Sequence, residues 1–189
     1  MRREPGPEPT PSQTIGPFFH DALLERDLTE LVSPDHPGAI RIIGVVYDGA
    51  GDPVPDAMVE ISQGGPISPG ENPNAFDGGF SGWGRSGTAD GGRFSLITLK
   101  PAPVPAADGT PQAPHINVVV FARGLLRQVF TRLYFPDEGE ANAGDPVISS
   151  IDDAGLRETL IARDEGSGTY HFDIRLQGEN QTAFFEFAG

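Results

Sequence analysis

His115 and Asn117 stand two residues apart, with Ile116 between them and Val118-Val119-Val120-Phe121 following. On a strand, residues at that spacing point to one face. Two histidines placed so would aim two imidazoles at one ion. The second position here is a neutral amide, a poor ligand for a transition metal. The pattern is that of a metal-binding strand whose metal chemistry has been removed. Arg132 is the second residue of note. It sits in Thr131-Arg132-Leu133-Tyr134-Phe135, a cation in an otherwise apolar strand. Arginine is seldom buried without an anionic partner, and its planar fork suits a carboxylate. Two readings stand for it: a salt bridge or edge-strand exposure, or a site for a ligand carboxylate. The remaining histidines, His20, His36 and His171, read as surface or hydrogen-bonded core residues. No serine lies in a nucleophile-elbow pattern and no phosphate-binding loop is present.

The elements that must hold these residues are strands. Alternating apolar residues predict strands over 40–47, 57–62, 93–99, 115–122 and 128–134, with Arg123-Gly124-Leu125-Leu126 joining the last two. A further pair is expected over 169–176 and 182–187, joined by Gly178-Glu179-Asn180. Short helices are expected over 21–31 and 156–163. The 25 glycines and 19 prolines match frequent turns rather than long helices. The expected fold class is mainly β: an antiparallel β-sandwich core with an extended N-terminal arm and long loops. Residues 1–38 form the arm and a short helical segment, and 39–189 the sandwich domain. A Gly-, Pro- and Asn-rich stretch over 63–84 contains Phe76, Phe80 and Trp83, and is expected to pack against the sandwich or a partner.

Composition removes whole classes of function. The chain of 189 residues carries 13 basic and 27 acidic residues, a net charge of −14, which disfavours nucleic acid as a partner. Without cysteine there is no disulfide, thiolate catalysis or zinc–thiolate site. No apolar run approaches the about 18 residues of a membrane span, and Pro-rich polar sequence follows Met1 in place of a signal core. A cytoplasmic protein is the expectation.

Several segments together resemble the intradiol ring-cleavage dioxygenases. They are Thr10-Pro11-Ser12-Gln13-Thr14-Ile15-Gly16-Pro17-Phe18-Phe19, Gly44-Val45-Val46-Tyr47-Asp48 with Pro53-Val54-Pro55-Asp56-Ala57, Pro114-His115-Ile116-Asn117, Thr131-Arg132-Leu133-Tyr134-Phe135, and Tyr170-His171-Phe172-Asp173-Ile174-Arg175. The resemblance implies a β-sandwich and a heteromeric enzyme of α and β chains that uses O2 and non-haem Fe(III) to open a small aromatic substrate, protocatechuate. Family members hold iron with two tyrosines and two histidines. Here the second histidine is Asn117, and Val104 stands in the Pro-x-Pro context of a ligand tyrosine. No tyrosine occurs over 63–69, and Gln112 replaces an arginine three residues before the histidine motif. The resemblance therefore implies that this chain is the non-catalytic α type. It would bind no metal itself, with His115 a lone remnant, and the Fe(III) would be held by the β subunit in a higher hetero-oligomer. By the same carry-over, Thr14, Gly16, Pro17, Phe18 and Arg132 line the substrate pocket and no catalytic residue lies in this chain. Two alternatives stay open: a transthyretin-like sandwich serving as a binding module, and an iron enzyme whose ligands lie elsewhere in the chain.

Overall fold

Apolar side chains at alternate positions of Ala39–Tyr47 (β1) put Ile40, Ile42 and Val46 on one buried face. The same alternation operates in Met58–Ser62 (β2), Trp83–Gly87 (β3), Arg93–Leu99 (β4) and, after the short ribbon Val104–Pro105 (β5) and Pro111–Gln112 (β6), in His115–Phe121 (β7) and Val129–Tyr134 (β8). The chain ends through Arg163–Gly166 (β9), Thr169–His171 (β10) and Ile174–Arg175 (β11). The helices are short: Phe18–Leu23 (α1), Gly139–Gly144 (α2), Pro146–Ser149 (α3) and Ala154–Glu158 (α4). The computed structural model describes residues 18–64, 80–89, 91–106 and 108–186.

Two sheets face each other. One is centred on β1, which pairs antiparallel with β4 on one edge and parallel with β10 and β11 on the other, β9 extending it. The second has the order β3-β2-β7-β8, antiparallel throughout. Their inner faces close a single core of Ile42, Val46, Leu96, Tyr170, Phe172 and Ile174 against Val59, Ile61, Ile116, Val118 and Leu133. Complete burial of one such aliphatic side chain contributes about 1.5–3 kcal/mol. The expected sandwich is present, with one mixed sheet. Among the described residues no helix is long and apolar enough to cross a membrane.

The closing segments differ from expectation. Residues 169–176 and 182–186 meet at one rung, where Thr182 N donates to Arg175 O (3.0 Å) and Arg175 N donates to Thr182 Oγ1 (2.9 Å), and form no ladder beyond it. The first is split by Phe172, whose carbonyl oxygen lies 1.9 Å from where a Cβ on Gly44 would sit. Gly44 thus admits the backbone that approaches β1 there. Past the turn, the chain crosses to the other sheet. Phe185 N donates to Phe130 O (2.8 Å) and Thr131 Oγ1 donates to Ala183 O (2.7 Å). Instead, β10 pairs with β9 across Ser167-Gly168, a hairpin hidden by its exposed, charged first strand. The helix expected over 21–31 is the shorter α1, and that over 156–163 is α4, capped by Asp153 Oδ1 on Leu156 N (3.1 Å). The expected loop over 63–84 ends in a strand, β3, which pairs Trp83 with Ser62. Residues 65–79, with Phe76, lie outside the described residues.

Segment 18–31 docks on the sandwich. Phe19 is buried and its ring lies 6.2 Å from Phe121, on the outer face of the second sheet. Leu28 then bridges to Arg85 on β3 and Glu30 to Ile97 on β4, so the segment contacts both sheets.

Candidate functional site

The outer face of the second sheet carries the polar residues that the sequence singled out. Ladder register sets His115 opposite Tyr134 and Asn117 opposite Arg132. Because inner and outer positions alternate, Ile116, Val118 and Leu133 fill the core while their neighbours turn outward. Gln112 and Val104 join the same corner, since they pair with each other in the β5–β6 ribbon. Three of the positions that would hold a metal, Val104, His115 and Asn117, are therefore brought to the corner of Arg132, while 65–69 lie outside the described residues.

The guanidinium of Arg132 occupies that corner. Its Nε donates to Asn117 Oδ1 (3.1 Å), and its Nη1 donates to Gln112 Oε1 (2.8 Å) and to the Tyr134 hydroxyl oxygen (3.2 Å). Tyr134 in turn donates to Asp145 Oδ1 (3.2 Å). Burial pushes the Tyr134 phenol up to about 12, although the Arg132 charge opposes the rise, so the phenol keeps its proton and serves as donor. Asp145 has no solvent exposure. It accepts from Val147 N and Ile148 N as the cap of α3, and from Ala113 N (2.8 Å). It thus ties the loop before β7 to the helices after β8.

His115 is buried, its ring 5.5 Å from that of Tyr134. Its Nδ1 lies 2.8 Å from Ala113 O. A carbonyl only accepts, so this nitrogen carries the proton. Burial first, and then the nearby Arg132 charge, lower the His115 pKa, which keeps the ring neutral.

These donors do not fit a ferric ion. One neutral imidazole remains, the Asn117 oxygen is taken by a cation, and Val104 offers no donor. Among the described residues no three His, Asp or Glu side chains are grouped to hold one.

Of the residues expected to line a pocket, Thr14, Gly16 and Pro17 lie outside the described residues, and Phe18 opens α1. Helix α1 lies on the same sheet face as Arg132, with Phe121 four residues along β7 from Asn117, or about 13 Å. Of the structural readings of Arg132, the salt bridge finds no partner among the described residues, whereas β8 does lie at the edge of its sheet and the residue is half-buried. The sequence reading missed Tyr134 and Asp145 as members of this corner. Asp145-Pro146 is itself a helix-start signal, a capping acid followed by proline at the first helical position. It also treated Asn117 and Gln112 as losses, whereas both are hydrogen-bond acceptors here.

Known proteins place the corner in context. A family model described as dioxygenase matches residues 14–178. The chain is 44% identical over 193 residues to the protocatechuate 3,4-dioxygenase alpha chain of Pseudomonas putida, covering 94% of this chain and 96% of that one. It is 31% identical to the beta chain of Burkholderia cepacia protocatechuate 3,4-dioxygenase, over 90% of this chain and 77% of that one. Among solved structures, the dioxygenase domain of a dioxygenase carbohydrate-binding protein fusion from Streptomyces sp. SirexAA-E superimposes with a TM-score of 0.54 at 27% identity. The match covers 90% of this chain and 99% of that domain. A free-standing transthyretin-like binding module does not account for a dioxygenase match of this length.

Proposed function

This chain belongs to the intradiol ring-cleavage dioxygenase family, and from that premise we propose that it is the non-catalytic α chain of a protocatechuate 3,4-dioxygenase. The observation that carries the reading is Arg132. It fills the corner where a metal-bearing member needs ligands, and it is held there by the neutral oxygens of Asn117 and Gln112. The corner has exchanged cation binding for cation display.

In this reading the chain's task is recognition. Protocatechuate differs from catechol by one carboxylate. A carboxylate taken from water needs charged or hydrogen-bonding donors. Arg132 supplies the charge and Thr14 a hydroxyl. Gly16 and Pro17 let the arm backbone approach the ring closely in a fixed turn, and Phe18 stands beside them without the hydroxyl of a tyrosine. The arm, residues 1–38, pairs with the β subunit while its segment 18–31 stays docked on this chain's own sandwich, so that the pocket forms between the two chains of a hetero-oligomer. Fe(III), carried by the β chain, supplies the chemistry that inserts both atoms of O2 to give 3-carboxy-cis,cis-muconate.

The test is co-expression. Purified alone, the chain should neither retain stoichiometric iron nor cleave protocatechuate; with its β chain, the complex should do both. In that complex Arg132→Ala should raise KM for protocatechuate. Turnover and iron in the isolated chain, or an unchanged KM in the Arg132→Ala complex, would refute the reading.

A further inference from the structure

We propose that Asn117 and Gln112 are positioning residues: a neutral amide cradle that fixes the Arg132 guanidinium in orientation while leaving its charge for the substrate carboxylate. The inference rests on the α-chain reading above.

A guanidinium has five N–H donors. Nε spends its one on Asn117 Oδ1, and Nη1 spends both on Gln112 Oε1 and the Tyr134 hydroxyl. The two that remain are both on Nη2, and among the described residues they meet no acceptor. Bonds on two sides of the fork pin its plane, so Nη2 is presented in one direction rather than swept through a cone.

The acceptors are chosen for charge as well as for place. Asn117 lies directly across the ladder from Arg132. An aspartate there would pair with the guanidinium and cancel most of the charge that a ligand would feel. A chain with 27 acidic residues has no shortage of such partners, yet both side-chain carbonyls facing Arg132 belong to amides. The one acid in the corner, Asp145, is separated from the guanidinium by the Tyr134 hydroxyl. Its oxygens are already engaged by three backbone N–H groups. It orders the corner and makes no direct ion pair with Arg132.

Asn117→Asp and Gln112→Glu replace each amide by a carboxylate of the same shape. In the αβ complex, each variant should raise KM for protocatechuate about tenfold, the scale of one charge-assisted hydrogen bond. The melting temperature, the iron content and KM for 4-methylcatechol, which has no carboxylate, should stay at wild-type values. A merely structural role would move both substrates together, and that result would overturn the proposal. So would wild-type KM for protocatechuate in both variants while Arg132→Ala raises it, an outcome that leaves the α-chain reading standing. If Arg132→Ala also leaves KM unchanged, the α-chain reading fails with it. Gln112→Glu lies outside β7 and keeps the test open if a carboxylate at 117 disturbs folding.

Discussion

Arg85 and Arg132 share one face of one sheet and are held in opposite ways. Arg85 on β3 lies across the ladder from Glu60 on β2, and its Nε donates to Glu60 Oε1 (2.8 Å). It also donates to Leu23 O (3.0 Å) and stacks over the Trp83 ring at 5.0 Å. Its charge is cancelled inside the sheet, and it fastens α1 and the loop stem to the sandwich. Arg132 on β8 lies across from Asn117 on β7 and, among the described residues, hydrogen-bonds only to neutral oxygens. Same residue type, same face and same cross-strand geometry thus yield a structural rivet in one place and a displayed charge in the other. The acceptor decides which.

That contrast can be broken from either end. The largest effect should come from Glu60→Ala, which strands a mostly buried guanidinium. The Arg85 and Glu60 side chains are 14% and 17% exposed, so loss of the partner should cost about 3 kcal/mol. Chemical denaturation of the isolated chain reads this directly. A change below ~1 kcal/mol would place Arg85 with ordinary surface pairs.

Arg132→Ala should show the reverse profile. Its stability cost should stay within about 1 kcal/mol, whereas KM for protocatechuate in the complex should rise by about 10- to 100-fold. Steady-state kinetics beside a denaturation curve separates the two, and a large stability loss with little change in KM would make the arginines alike.

Tyr134→Phe removes the hydroxyl between Arg132 and Asp145. Asp145 keeps its three backbone donors, so about 1 kcal/mol of stability should be lost. Thermal melting of the two proteins gives the difference.

The smallest effect is the pH dependence of His115. Its folded pKa lies below the unfolded value, so the unfolded chain takes up a proton that the folded chain resists. The stability from this group is fully present above the unfolded pKa of about 6.5 and is lost as pH falls below it. The displayed charge of Arg132 is part of the cause, together with burial. His115→Gln should therefore lose less stability than wild type between pH 7 and pH 5, measured as melting temperature at each pH. Identical slopes would mean that the ring titrates as if free.

Legibility followed the range of the interactions. Strand β4 fell on the expected boundaries and β1, β2, β7 and β8 within one residue of theirs, because in-out alternation against one core is written locally. Strand β3 was concealed, since Gly84, Arg85, Ser86 and Gly87 carry little apolar pattern and owe their strand to pairing with β2. The C-terminal segments looked like a hairpin from their turn residues. Their partners, β1 and Phe130, lie far away in sequence, and no local signal reports which edge stays open to receive them.

The same division runs through the site. Through its family resemblance the sequence marked Asn117 and Val104 as positions where a metal-bearing member has ligands, and a neutral amide and an alkyl side chain are poor donors for a ferric ion. It also marked Arg132 as a cation in need of an explanation. Only the tertiary structure decided what those residues do together. Ladder register set Asn117 against Arg132, the β5–β6 ribbon carried Gln112 to Nη1, and Tyr134 came to stand between the guanidinium and Asp145. A hydrogen bond depends on direction and on distances of about 3 Å. Those are set by how strands far apart in the chain pair and pack, and composition does not contain them.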